Sequence, residues 1–202
     1  MKIAVLGGTG RTGQHVVQRA LAEGYEVVLL ARTPEKLAIQ DKKLTVLQGD
    51  VTDKPAVAKT VAGAEAVISS LTPTAVGMEN IIAYLKDTGA RRLIVTSGAG
   101  IDIPGDEPPF SGKIISWLIK TFSRQAYEES MAVADAVWGS GLDWTLARAP
   151  RLVDKPATGN LYVGPLNKDM KTTLSREDYA NFLVTAVTDD TLINRAPVVS
   201  DK

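Results

Sequence analysis

The residues with the clearest chemical meaning are the glycines that follow the first apolar run of the chain. After Ile3–Leu6 come Gly7-Gly8-Thr9-Gly10-Arg11-Thr12-Gly13, and apolar residues then resume with helical spacing from Val16. A diphosphate needs free backbone N–H groups at close range and no Cβ atoms in the way, and glycines at this spacing supply both. The pattern of strand, turn and helix predicts a dinucleotide-binding fingerprint, in which the phosphates contact Gly7, Thr9, Gly10, Arg11, Thr12 and Gly13.

The end of the second apolar run should meet the adenosine ribose of such a cofactor. An NAD site places an acidic residue there, about 20 residues beyond the glycines, to accept a hydrogen bond from the 2′-hydroxyl. This chain has Arg32 instead, and a guanidinium binds a 2′-phosphate through charge-assisted hydrogen bonds. NADP(H) is therefore predicted over NAD(H). Arg11 could add a second contact, and Lys36 is either a further contact or a solvated lysine.

Small and polar residues also follow the later apolar runs. They are Asp50-Val51, Ser70-Leu71, Thr96-Ser97 and Ala149-Pro150-Arg151. Because the carboxyl ends of parallel strands share one edge of a sheet, these residues predict a single cleft. Asp50 either accepts a hydrogen bond from the adenine or caps the helix that begins near Lys54. Ser70 and Leu71 should pass under the ribose and the nicotinamide.

The alternation of apolar runs with helical stretches predicts the fold that positions these residues. Strands are predicted at the short apolar runs, such as Leu44–Leu47, Ala66–Ile68, Leu93–Val95 and Trp144–Ala147. We therefore expect a doubly wound parallel sheet, a three-layer α/β/α arrangement with strand order 3-2-1-4-5-6, in one domain over residues 1–202. Gly24 should end the first helix. The later helices are expected at Pro55–Val61, Val76–Lys86, Phe110–Trp138 with a break near Phe122-Ser123, and Arg176–Val187.

Composition excludes several classes of function. The 202 residues carry 23 basic and 23 acidic side chains, a net charge of zero that disfavours nucleic acid and anionic membranes as partners. The absence of cysteine removes disulfides, iron–sulfur clusters and thiol catalysis, and His15 is the only histidine, so no metal site is expected. The first apolar stretch is too short for a signal peptide and none is long enough to span a bilayer, so a cytoplasmic protein is expected.

A family resemblance rests on six motifs that occur in order along the chain. They are Gly-Gly-Thr-Gly-Arg-Thr-Gly, Leu-Ala-Arg32, Gly-Asp50-Val, Val-Thr-Ser97, Ser-Gly-Leu142-Asp-Trp-Thr and Arg-Ala-Pro150. The chain resembles atypical short-chain dehydrogenases of the NAD(P)H-binding, NmrA-like group, in particular the biliverdin reductase B (flavin reductase) branch. The resemblance extends to Pro156–Gly159 and Arg176–Tyr179. It implies a Rossmann domain with a small carboxyl-terminal substrate region, and NADPH-dependent reduction. It also implies that the Ser97 hydroxyl lies near the nicotinamide. The alternative is that Ser97 caps a turn.

Two positions depart from related patterns. Short-chain dehydrogenases use a Tyr-x-x-x-Lys pair in which the lysine lowers the tyrosine pKa. The catalytic candidate here is Tyr127, but Met131 stands one helical turn on, so the relay is missing and packing is the favoured interpretation of Tyr127. Biliverdin reductase B proteins carry a histidine where this chain has Arg151. Arginine stays charged and cannot deliver a proton, but it can anchor an anionic substrate.

Without a proton relay, the predicted hydride acceptors are those that need little acid–base catalysis from the protein, namely oxidised flavins and quinones. Flavin would then be a substrate rather than a prosthetic group. The substrate side is expected to be formed by residues 98–112 and 151–175, with a short strand at Asn160–Val163. An apolar stripe consists of Ile114, Ile115, Trp117, Leu118 and Phe122. It is expected to pack in the core or, if exposed, to form a pocket wall or a partner surface. The rival hypothesis is a redox sensor that binds NADP(H) and regulates a protein partner. A third hypothesis, a relative of the sugar-nucleotide epimerases, is less compatible with the absence of a lysine four residues after Tyr127.

Overall fold

An eight-stranded sheet organises the computed structural model, which describes residues 1–71, 74–101, 103–108 and 122–202. The strands are β1 Lys2–Leu6, β2 Glu26–Ala31, β3 Leu44–Gln48, β4 Ala66–Ser69, β5 Arg92–Gly98, β6 Asp143–Ala149, β7 Arg151–Val153, β8 Leu161–Gly164, β9 Thr173–Ser175 and β10 Val198–Asp201. The main sheet has the order β3-β2-β1-β4-β5-β6-β10-β8, and β7 pairs with β9 in a second sheet. Only β8 runs antiparallel to its neighbour in the main sheet.

Helices cover both faces of this sheet. They are α1 Arg11–Ala22, α2 Lys54–Val61, α3 Ala75–Thr88, α4 Arg124–Trp138 and α5 Arg176–Thr185. Side chains alternate along β1, so that Ile3 and Val5 face the core under α1 and α5, whereas Ala4 and Leu6 face the core under α2, α3 and α4. Because both faces of the central strands are buried, β1 and β4 consist mostly of apolar residues.

The first helix ends as the sequence predicts. Gly24 has φ +82°, and its N–H donates to the Leu21 carbonyl at 2.9 Å. The N–H of Tyr25 reaches back to the Ala20 carbonyl at 3.1 Å, which completes a Schellman motif. A residue with a Cβ would be strained at this φ, so glycine is what allows the chain to turn directly into β2.

The predicted strand order 3-2-1-4-5-6 is confirmed, and the sheet continues through β10 and β8. The short strand expected at 160–163 is β8, shifted by one residue. In the predicted long helix, α4 begins at Arg124 after the bend at Ser123, and the part upstream of Phe122 lies outside the described residues. The same is true of the apolar stripe, except for the exposed Phe122. The strands β7, β9 and β10 were not predicted.

A search of the described ranges for helices long and apolar enough to cross a membrane finds none.

Candidate functional site

The glycine turn between β1 and α1 depends on glycine for different reasons at different positions. Gly7 has φ +85°, and a Cβ on it would lie 2.6 Å from the Ser70 carbonyl oxygen. A Cβ on Gly13 would lie 2.7 Å from Cα of Gly8, inside the turn. Gly10 is exposed and extended, and a Cβ on it would make a tight contact of 3.3 Å with the Gly7 oxygen but would overlap no atom. Gly7 and Gly13 therefore let the backbone pack, while Gly10 leaves the outer side of the turn open.

The first turn of α1 is suited to an anion. Gly10 occupies the N-cap without a side-chain hydrogen bond, and the first turn holds no acidic residue. By contrast, α2 and α5 are capped by the side chains of Asp53 and Ser175. The N–H groups and the partial positive charge at the start of α1 therefore remain without a capping side chain, an arrangement that favours a bound anion.

Two opposite charges meet where β2 and β3 end. The Nε of Arg32 lies 3.8 Å from Oδ2 of Asp50, and the Arg32 side chain is 81% exposed. Asp50 Oδ1 accepts hydrogen bonds from the Thr52 N–H and hydroxyl, at 2.9 and 2.8 Å. These bonds, with a smaller contribution from the charge of Arg32, lower the pKa of Asp50. Lys36 ends a short 3₁₀ turn and is exposed.

The alternative that Asp50 caps the following helix is wrong. Asp53 is the N-cap of α2, and its carboxylate accepts from the Ala56 N–H at 3.5 Å. Asp50 instead closes the turn through Thr52, because an aspartate carboxylate readily binds the backbone N–H two residues on. Its neighbour Val51 is held by Asn80 of α3, whose buried amide donates to the Val51 carbonyl at 3.0 Å.

The ends of β4 and β5 lie together beside the glycine turn. Ser70 N–H donates to the Leu6 carbonyl at 2.8 Å, so the chain after β4 continues against the end of β1. The Thr96 hydroxyl reaches the Leu71 carbonyl at 3.4 Å. Ser97 is half-buried and pairs in register with Arg148 of β6. The structure thus brings together the strand ends that the sequence predicts on one edge.

A buried ion pair joins β6 to the first of the two segments predicted to form the substrate side, and a hydrogen bond from the second segment reaches the same carboxylate. Both oxygens of Asp106 accept from Arg148, at 2.5 and 2.9 Å, and Oδ1 also accepts from the Leu166 N–H at 2.9 Å. Arg148 is 1% exposed. Sequence reasoning missed this pair, although an arginine inside an otherwise apolar strand was a usable signal. Pro150 follows β6 half-buried, and the Arg151 side chain is exposed on β7.

The helix α4 carries Tyr127 half-buried and Met131 one turn later. Between them, Glu129 reaches the start of α3, where its Oε1 accepts from the Ala75 N–H at 2.6 Å. A carboxylate at a helix N-terminus is stabilised by the helix dipole. Glu129 was also missed, since nothing in the sequence relates it to α3.

Two motifs of the family resemblance contact each other. In α5, Asp178 accepts hydrogen bonds from Thr158 N–H at 2.8 Å and Gly159 N–H at 2.9 Å, and Glu177 accepts from Ala157 N–H at 3.0 Å. The carboxylates of α5 therefore hold the turn that follows β7. The next residue, Tyr179, is buried and donates to the Ala147 carbonyl at 2.7 Å. Burial raises the pKa of this hydroxyl far above its ordinary range.

In the part of the chain that is described, three or more histidine, cysteine, aspartate or glutamate side chains nowhere converge on a possible metal site. His15 lies half-buried in α1.

A parallel sheet of this order, with a glycine turn at the strand-order reversal and an open helix N-terminus above it, defines a Rossmann protein that binds a dinucleotide. The chain belongs to the NAD(P)H-binding family, whose model matches residues 7–190. The family expected from the motifs is therefore confirmed.

Two curated relatives are reductases or reductase homologues by name. A (4-alkanoyl-5-oxo-2,5-dihydrofuran-3-yl)methyl phosphate reductase from Streptomyces griseus is 31% identical over 72% of this chain and 46% of its own length. Isoflavone reductase homolog P3 from Arabidopsis thaliana is 26% identical over 96% of this chain and 67% of its own. The chain thus spans about half of the first relative and two thirds of the second.

Solved structures share the fold at lower identity. A short-chain dehydrogenase/reductase from Veillonella parvula, in complex with NADP, has a TM-score of 0.82 at 19% identity, over 99% of this chain and 94% of the other. ChuY, an anaerobilin reductase from Escherichia coli O157:H7, has a TM-score of 0.83 at 20% identity, over 100% and 97%.

Proposed function

We propose that this protein is an NADPH-dependent reductase that transfers hydride to a small acceptor such as an oxidised flavin or a quinone. The observation that carries the proposal is the exposed guanidinium of Arg32 directly after β2, at the same edge of the sheet as the turn from β1 into the uncapped N-terminus of α1. The diphosphate at α1 is common to the dinucleotides that this fold binds, and the 2′-phosphate at Arg32 distinguishes NADPH from NADH.

Each part of the cleft has a task in this proposal. The turn from Gly7 to Gly13, including Thr9 and Thr12, holds the diphosphate, and Arg32 binds the 2′-phosphate with Arg11 and Lys36 as additional cations. Asp50 and Val51 face the adenine. Ser70, Leu71, Thr96, Ser97 and Pro150 line the nicotinamide side.

The bound cofactor supplies the hydride, and the protein aligns it with the acceptor. Tyr127 has Met131 where a relay would need lysine, so we assign Tyr127 to packing. Ser97 orients the acceptor through its hydroxyl, and Arg151 anchors an anionic group on it. Flavins and quinones take up hydride directly and draw the proton from water, so they need no acid from the protein.

The names of the comparison proteins support this class of reaction. The Streptomyces and Escherichia coli proteins are named as reductases, and the Veillonella structure contains NADP. These names support reduction as the class of reaction, and the flavin or quinone acceptor is our own proposal.

Turnover tests the proposal. Purified protein incubated with NADPH and either FMN or a quinone should oxidise NADPH well above the rate of the Gly10→Val variant, which blocks the diphosphate position. Oxidation no faster than in that variant, with every acceptor tried, would contradict the proposal.

The second candidate function is a redox sensor, and Met131 is the observation that favours it, since a sensor needs no relay. A sensor binds NADPH tightly but oxidises it at the background rate. Binding and turnover measured on one preparation therefore distinguish the two functions.

A further inference from the structure

A chain of three charged side chains connects the glycine turn with the substrate side. Arg11 is the first residue of α1, and its Nη2 is paired with Oδ2 of Asp154, just after β7. The other oxygen of Asp154 accepts from Nη1 of Arg176, the first residue of α5, at 2.7 Å. Asp154 thus lies between two guanidinium groups that come from opposite ends of the chain.

The two arginines are held differently. Arg176 is 13% exposed, whereas Arg11 is 70% exposed and Asp154 60%. Within the described residues, the hydrogen bond to Asp154 uses one of the three guanidinium nitrogens of Arg11. Arg11 is therefore the more accessible partner, and the largely buried Arg176 holds the carboxylate in place.

The charge on Asp154 is maintained at neutral pH. Partial desolvation raises the pKa of its carboxyl, but the hydrogen bond and charge of Arg11, together with those of Arg176, lower that pKa by more, so its net position is below the ordinary value. A full negative charge consequently stands beside the turn that accepts the phosphates of the cofactor.

The backbone around Asp154 is fixed independently of Arg11. Glu177 and Asp178 hold the N–H groups of Ala157, Thr158 and Gly159. Lys155 is paired with Asp201 at 2.7 Å. If Arg11 left Asp154, only the side-chain contact would therefore be lost, and the backbone of the turn after β7 would stay in place.

We propose that Asp154 competes with the cofactor's phosphate groups for Arg11 and thereby sets the affinity of the site for NADP(H). The inference rests on the proposed function, because it needs the cofactor phosphates at the glycine turn. Phosphate oxygens and a carboxylate compete for the same guanidinium donors. Removing the charge of Asp154 frees the Arg11 guanidinium to bind the cofactor. Arg176 also loses its ion pair with Asp154, but in this proposal Arg176 does not contact the cofactor.

The test is a double-mutant cycle measured by calorimetry with NADP⁺, using Asp154→Asn, Arg11→Gln and the double variant. Asp154→Asn should tighten binding about two- to fivefold, the scale of one exposed ion pair. In the Arg11→Gln background the same substitution should have no effect. Asp87→Asn, the same change at an exposed position of α3, is the control for net charge, and thermal unfolding checks that each variant folds.

Weaker or unchanged binding in Asp154→Asn would overturn the inference, and so would a gain that persists in the Arg11→Gln background. Failure of the proposed function gives a different result. If the wild-type protein binds no NADP⁺, both the proposed function and the role of Asp154 are wrong. If it binds NADP⁺ with the expected cycle but reduces no acceptor, the role of Asp154 stands and the reductase assignment fails.

Discussion

Arg32 and Asp50 form a charge pair across the ends of neighbouring strands, with Nε and Oδ2 3.8 Å apart. The pair is loose and Arg32 is mostly exposed, so the interaction contributes little to stability. Asp50 is held by Thr52. Arg32 therefore keeps most of its donors available at the position where an NAD-specific protein has an acid.

Replacing Arg32 by Asp should weaken NADPH binding by about 1.5–3 kcal/mol, the scale of a lost hydrogen bond to a charged group. NADH has no 2′-phosphate and should bind nearly as before. Calorimetry with both cofactors measures the difference. Lys42→Asp makes the same change of charge at another exposed position and should leave both affinities unchanged. Unaltered NADPH affinity in Arg32→Asp would show that the assignment of Arg32 is wrong.

Asp50 should make a pH-dependent contribution to stability. Its pKa is lowered in the folded protein, chiefly by the hydrogen bonds from Thr52. A lowered folded pKa stabilises the protein above the unfolded value, about 3.9, and this stabilisation is lost as the pH falls through the folded value. The advantage of wild type over Asp50→Asn should stay below about 1 kcal/mol because the carboxylate is partly exposed.

Denaturant unfolding of wild type and Asp50→Asn over a pH series measures this contribution. The difference in unfolding free energy should be constant near neutral pH and shrink on acidification. A difference that grew toward acid pH would have the wrong sign for a lowered pKa.

Two glycines of the phosphate turn should respond differently to substitution. Gly10→Val should abolish NADPH binding with little change in stability, because Gly10 is exposed and its outer side is the position that we propose for the diphosphate. Gly13→Ala should destabilise the fold by about 1–3 kcal/mol, since its Cβ would overlap the backbone of the turn. Calorimetry and thermal unfolding separate the two effects. A Gly10→Val protein that still bound NADPH would place the diphosphate elsewhere.

The buried pair of Asp106 and Arg148 should matter far more for stability than an exposed pair. Asp106→Ala leaves a guanidinium buried without its partner, at a cost of about 3–5 kcal/mol. Asp143→Ala removes a similar pair with Arg91 that is largely exposed, and should cost about 1 kcal/mol or less. Denaturant unfolding compares them. If Asp106→Ala is too unstable to purify, Asp106→Asn retains part of the hydrogen bonding, and equal stability of Asp106→Asn and wild type would contradict the prediction.

The elements that the sequence predicted correctly are those determined by local patterns. The turn at Gly7–Gly13 and the C-cap at Gly24 follow from the steric freedom of glycine. The strand order follows from right-handed crossovers between neighbouring apolar runs. The strand β10 was missed because four residues carry too little periodicity.

The charge pairs could not be predicted in the same way. Asp106 and Arg148 are 42 residues apart, and Arg11 and Asp154 are 143 apart. Such partners meet only after the sheet has formed, so neither spacing nor local composition identifies them. The glycine turn and the shared edge of the strand ends were therefore predictable from the sequence, whereas the ion pairs between distant segments were not.

Tyr127 is the position at which the absence of a relay can be tested directly. A tyrosine that donates a proton contributes about 10²–10⁴-fold to the rate, so Tyr127→Phe should change NADPH oxidation with FMN by less than about threefold if no such donation occurs. Met131→Lys places an ammonium one helical turn away, yet it should not raise the rate with FMN, because hydride uptake by a flavin draws its proton from water. A loss of a hundredfold in Tyr127→Phe with cofactor affinity unchanged would instead make Tyr127 the acid, with a partner other than lysine to lower its pKa.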